Sequence, residues 1–162
     1  MKQVFESERI SFVEVSVFLI KDYLVMINDY ENVNRFIGAA SKKYTVKDEI
    51  KWVREKLKEK APVFSMIEKE SGSFIGNIEL TNISGPDAEF GIAMTARMQD
   101  RGFGTEAVSA MVSYGMEQLG LKRIWLRARP FNPRAIHVYE KCGFKEYKRT
   151  DDHVFMEIFR QA

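Results

Sequence analysis

Between residues 99 and 144 lie two short runs whose residue types could do chemistry together. The first, Gln99-Asp100-Arg101-Gly102-Phe103-Gly104, is a glycine-bearing turn followed by Thr105-Glu106-Ala107-Val108, a helix opening. Such a turn lets several backbone N–H groups converge on one anion, and the helix N-terminus adds partial positive charge. Gly102 and Gly104 carry no Cβ, so an anion can approach the backbone closely. The second run is Asn132-Pro133-Arg134-Ala135 followed by Tyr139-Glu140-Lys141-Cys142-Gly143-Phe144. Asn132 is an N-cap with Pro133 at the first helical position, and Tyr139 falls two turns along the same face.

Other side chains could move protons. Glu89 sits mid-strand, on the opposite face from Phe90 and Ile92, and could accept a proton from an ammonium through water; a solvated strand residue is the equal alternative. Glu79 on the preceding strand is the reserve. The Tyr139 phenol suits protonation of a thiolate, although Ala135, Val138 and Cys142 share its face and could make it a core aromatic. Cys142 reads as a packing residue rather than a nucleophile. His137 falls off the Tyr139 face and reads as exposed, and Lys56, Lys58 and Lys60 as a solvated helix end.

The elements that must position these groups follow from periodicity. Ser11 to Val15 reads as a first strand. Val17 to Ile27 reads as a helix that is apolar nearly all round, hence buried. Thr45-Val46-Lys47-Asp48 is a capping box with Asp in place of Glu; it opens a helix running to about Lys60. Val46, Ile50, Val53 and Leu57 form its apolar stripe, and Trp52 falls off it, facing either a cleft or a surface loop. Val63 to Ile67 and Phe74 to Leu80 make a hairpin around Ser71-Gly72, and Ala88 to Met94 alternates with period two. After the glycine turn, Val108, Met111, Val112, Gly115 and Leu119 share a helical face, which Gly120 ends. Ile124 to Ala128 is a further strand, and Phe144 to Lys148 with Val154 to Arg160 form a last hairpin. This order predicts an α/β chain: one mixed sheet with helices on both faces.

The two motifs together resemble the acetyl-CoA-binding signature of the GNAT superfamily of N-acyltransferases, and their spacing is similar to the RimJ/RimL branch. The resemblance implies one GNAT-like domain over residues 1–162, with a mostly antiparallel central sheet, and direct transfer of an acetyl group from acetyl-CoA to an amine. It implies that Gln99, Arg101, Gly102, Phe103, Gly104 and Thr105 line the pyrophosphate, with Arg101 adding side-chain charge. It implies that Ile92, Ala93 and Met94 pair with the pantetheine arm and polarise the thioester, that Asn132 and Ala135 contact the cofactor, and that the first helix pair roofs the acceptor cleft. Asp100 departs from the glycine common in the family; a carboxylate beside phosphate is unfavourable, so its side chain should point outward.

Composition bounds the rest. The chain has 162 residues and a net charge of +2, too little to suggest nucleic acid as the main partner. One cysteine excludes an internal disulfide and fits a reducing compartment, and two histidines without a Cys/His cluster argue against a metal. The longest apolar run, Val15 to Ile20, is too short to span a bilayer and follows an acidic N-terminus unlike a signal peptide, so a cytoplasmic monomer or homodimer is expected. Residues 28–60 hold nine bases and six acids, a net of +3. That balance leans toward a protein or peptide N-terminus, or a small amine of low charge, over a polyamine or aminoglycoside. A non-catalytic acyl-CoA-binding module is the alternative outside enzymes.

Overall fold

The computed structural model describes residues Met1–Ala162. The chain runs β1 (Gln3–Glu6), β2 (Ile10–Glu14), α1 (Ile20–Ile27), α2 (Val46–Glu59), β3 (Val63–Glu68), β4 (Phe74–Ser84), β5 (Asp87–Met94), α3 (Phe103–Glu117), β6 (Arg123–Ala128), α4 (Pro133–Lys141), β7 (Lys145–Arg149) and β8 (Val154–Phe159). All eight strands form one sheet in the order β1-β2-β3-β4-β5-β6-β8-β7. Every pair is antiparallel except β5 with β6, which α3 joins as a crossover. This is the expected mixed, mostly antiparallel sheet, with one strand more than anticipated. No helix is long and apolar enough to cross a membrane.

Strand alternation divides the interior in two. Phe64, Met66, Ile78, Leu80, Phe90, Ile124 and Leu126 point to one face, where Phe103, Ala107, Val108 and Met111 of α3 and Tyr139 of α4 complete the main core. Val63, Phe74 and Ala93 belong to the other face, covered by Tyr23 and Met26 of α1 and Val53 of α2. In α3, Leu119 lies past the last turn and is exposed, while Phe103 and Ala107 extend the buried face.

The missing strand, β1, is an exposed edge held by Phe5, which stacks between Phe12 at 4.2 Å and Tyr114 at 4.4 Å. The first helix also departs from expectation. Val17–Leu19 is a 3-10 turn that Ser16 caps by accepting from the Phe18 amide, and the α-helix starts only at Ile20. It is one-sided: Leu19, Ile20, Tyr23 and Met26 are buried, whereas Phe18 and Val25 face outward.

The capping box of α2 forms as read, with Thr45 and Asp48 bonding each other's backbone N–H. Its inward face is different. Val53 and Glu49 are buried and Trp52 packs edge-on against Tyr23 at 5.7 Å, while Val46 and Leu57 are exposed. The helix is therefore rotated from the apolar stripe, toward the side that overhangs the sheet.

Candidate active site

β5 and β6 pair only over Asp87–Glu89 with Arg123–Trp125. Beyond that point Phe90–Met94 and Leu126–Ala128 share no ladder bonds, so the sheet opens as a splay, a feature periodicity cannot reveal. Ile92, Ala93 and Met94 line the resulting cleft, which encloses about 1190 Å³ and runs from the glycine turn to α1 and α2. A splayed strand offers unpaired backbone groups to an extended amide chain, as strand addition requires.

At one end lies the anion turn. None of the N–H groups of residues 100–105 donates to a protein acceptor; the first bond of the helix is Glu106 N–H to the Gly102 carbonyl. Six neighbouring amides at a helix N-terminus, with Gly102 at φ 81°, form a cradle that fits a diphosphate. Gly102, Gly104, Thr105, Asn132 and Ala135 line the cleft. Asn132 uses its side-chain oxygen to cap α4 at the Ala135 amide, 3.3 Å away.

Three of the expected pyrophosphate side chains do other work. Phe103 is buried, with the Arg9 guanidinium 4.2 Å and that of Arg101 5.3 Å from its ring. Arg101 turns away from the cradle toward Glu68, 3.6 Å distant, so its charge lies behind the turn. Gln99 lines the cleft but its amide serves the protein, donating to the carbonyls of Met94 at 2.9 Å and Asn32 at 3.2 Å. Sequence reasoning missed two arginines here. Arg134 bonds Asp100 and Gln99 across the two motifs. Arg9 donates to the Arg101 carbonyl and, with Ser7, to Glu106 in the first turn of α3. Burial opposes ionisation of Glu106, but these hydrogen bonds outweigh it and hold the carboxyl below its ordinary range.

Tyr139 proves to be both core aromatic and cleft residue. Its ring packs edge-on against Phe90 at 6.1 Å and Phe144 at 5.9 Å, and the residue lines the cleft. Its hydroxyl has no protein hydrogen-bond partner, and no unbonded polar side-chain atom in the molecule is fully buried, so the hydroxyl reaches the cleft. Burial, reinforced by Cys142, pushes the phenol far above its ordinary value and keeps it protonated.

The carboxylates divide clearly. Glu89 is buried with both oxygens engaged, one by Asn82 at 2.8 Å and the other by Arg127 at 3.0 Å. Glu79, across from Gly91 in the register, makes neither a hydrogen bond nor an ion pair. Burial raises its pKa; Lys56 opposes the rise and Glu89 adds to it. Lys56 is thus turned inward rather than wholly solvated. Glu79 is half-buried, whereas Glu49 on α2 is buried; it too is unpaired and raised, by burial first and by Asp48 second, with Lys42 opposing. Of the nine bases in residues 28–60, only Lys42 and Lys51 line the cleft, against Asp48, Glu49 and Glu55. The positive window does not make a positive cleft.

The comparisons with known proteins agree with this geometry. A family model described as an acetyltransferase (GNAT) domain matches residues 18–145. The chain belongs to the GNAT acetyltransferase family. GNAT acetyltransferases use acetyl-CoA, and the cradle and splay described above fit that molecule. A spermidine N(1)-acetyltransferase of Vibrio cholerae is 32% identical over 96 residues, covering 58% of this chain and 53% of the relative. The chain thus spans about half the length of that curated relative. The fold recurs in the crystal structure of spermidine N-acetyltransferase from Vibrio cholerae in complex with CoA and spermine, with a TM-score of 0.81, 21% identity and coverage of 94% and 96%. It recurs also in Mycobacterium smegmatis RimJ in complex with CoA-disulfide, with a TM-score of 0.79, 16% identity and coverage of 93% and 81%.

Proposed function

We propose that the protein is an acetyl-CoA-dependent N-acetyltransferase whose acceptor is a small aliphatic amine carrying more than one positive charge. The observation that carries the acceptor class is the pair of unpaired, burial-raised carboxylates, Glu49 and Glu79, on the α2 and sheet walls of one cleft. A carboxylate held partly out of water without a partner is costly, and an ammonium group entering the cleft relieves that cost. The similarity to spermidine acetyltransferases supports the same reading. It replaces the lean toward peptide acceptors, which rested on bases that mostly lie outside the cleft.

In this reading the transfer is direct. Glu79 takes a proton from the ammonium so that the freed nitrogen lone pair bonds to the acetyl carbon, and the second nitrogen proton leaves to solvent as the amide forms; Glu89, engaged by Arg127 and Asn82, holds the strands at the splay instead. As the carbon–sulfur bond breaks, Tyr139 delivers its phenolic proton to the departing sulfur and regains one from water in the cleft. Backbone N–H groups of Ile92 to Met94 polarise the acetyl carbonyl.

A peptide N-terminus is the second reading, favoured by Lys42, Lys51 and Arg129 on the cleft wall, which suit acidic peptide groups. Thiol release with acetyl-CoA, measured for spermidine, putrescine and short peptides of varied first residue, tests both. Preference for the di- and polyamines is expected. Preference for peptides would overturn the acceptor class. CoA binding with no thiol release across the panel would make the protein a binding module.

A further inference from the structure

Arg134 projects from the first turn of α4 and joins the two motifs. Its Nη1 lies 2.9 Å from Asp100 Oδ2 and its Nη2 lies 2.6 Å from Gln99 Oε1. The Gln99 contact is a fixed one. Both protons of the Gln99 amide nitrogen go to carbonyl oxygens, those of Met94 and Asn32, so its oxygen has to face Arg134. The guanidinium is thereby held over the anion turn by a neutral group that an incoming anion does not compete with.

The Asp100 contact differs. Asp100 sits at φ 60°, a left-handed conformation that costs a residue with a side chain about 1 kcal/mol or more. It stands at the head of the six free amides, where its carboxylate would repel a phosphate. Arg134 and Asp100 side chains are 51% and 68% exposed, so solvent screens their attraction heavily. A guanidinium meeting a diphosphate keeps its charge-assisted bonds and faces two negative charges in place of the one on Asp100. The exchange therefore favours the phosphate.

We infer that Arg134 is a diphosphate-binding residue and that Asp100 is its displaceable counter-ion, a carboxylate occupying the guanidinium until a phosphate takes its place. This rests on the acetyl-CoA reading above and adds to it a group that the glycine turn alone does not provide. It also accounts for an acid in an anion-binding turn: while the turn is empty, the pair neutralises a guanidinium and a carboxylate that would otherwise stand unpaired. On binding, the Gln99 bond persists, the Asp100 bond breaks, and the freed carboxylate turns to water.

Calorimetry with acetyl-CoA, and with ADP as a diphosphate lacking the pantetheine arm, tests it on four proteins: wild type, Asp100→Asn, Arg134→Ala and the double variant. Asp100→Asn should tighten both ligands by about two- to fivefold, the scale of an exposed ion pair. Arg134→Ala should weaken both by about tenfold, the scale of a hydrogen bond to a charged group. The deciding comparison is Arg134→Ala in the Asp100→Asn background. If the guanidinium meets phosphate, the loss there is at least as large as in wild type. No loss there would mean that Arg134 serves only to hold Asp100, and would overturn the inference, as would weaker binding in Asp100→Asn. Failure of wild type to bind acetyl-CoA at millimolar concentration would instead defeat the functional reading itself. Thermal melts confirm that each variant is folded.

Discussion

Glu89 and Arg127 are bonded across the point where the sheet divides. Their strands pair as far as Glu89 and Trp125, and the next inter-strand link is the side-chain bond from Arg127 Nε to Glu89 Oε2 at 3.0 Å. Asn82 reaches the other Glu89 oxygen from a left-handed position at φ 47°, past a register shift in β4. Glu89 thus links β5 to β6 beyond the last ladder pair. Arg127→Met should leave a buried carboxylate with one donor and cost about 1–2 kcal/mol in denaturant unfolding. Glu89→Gln combined with Arg127→Met should recover part of that loss, because no charge is then left behind.

Tyr139→Phe keeps the ring in its aromatic nest and removes one oxygen. Turnover should fall about a hundredfold while acetyl-CoA affinity changes less than about twofold. Unchanged turnover in steady-state assays would return Tyr139 to packing alone.

Glu79 ties rate and stability to pH in opposite senses. Its folded pKa is raised, by burial first, so if Glu79 is the proposed base it is lost on acidification at a pH above the ordinary carboxylate value. The acid limb of the rate profile should lie there and vanish in Glu79→Gln, with a large drop in rate. The same shift means that Glu79 favours folding below its unfolded pKa, and that this contribution is lost as pH rises through the folded value. Glu79→Gln should therefore melt higher than wild type at pH 7 and no higher at pH 3.

Gly76 has a different reason to be glycine. A Cβ there would overlap the Ala93 carbonyl oxygen and lie 2.9 Å from Met94 Cα, both backbone atoms that cannot step aside. Gly76→Ala should destabilise by about 3 kcal/mol and disturb Ala93 and Met94 at the splay. Calorimetric melting and acetyl-CoA affinity should fall together.

Much of this was legible in the chain. The anion turn, the Asn132 cap, the Thr45–Asp48 box and the sheet with helices on both faces follow from local chemistry, which the sequence states directly. What escaped depends on who meets whom. α2 was misread because hydrophobicity marks Val46 and Leu57, yet both lie near its ends in water, while Glu49 turns inward to a cleft that exists only once the sheet is built. β1 escaped because its four residues, Gln3-Val4-Phe5-Glu6, set two apolar side chains next to each other and show no alternation. Glu79 and Glu89 look alike in sequence, and only the partners that the fold brings to Glu89, Asn82 and Arg127, tell them apart.

The bond from Arg9 to Glu106 spans 97 positions, and with the Arg9 bond to the Arg101 carbonyl it braces the glycine turn. A polypeptide emerging from the ribosome presents Arg9 long before Glu106, so the brace can close only once α3 has been synthesised. The stretch bearing both motifs is consequently not a portable cassette: cut away from residues 7–9, it would retain every signature residue and lose the brace that sets their amides in register.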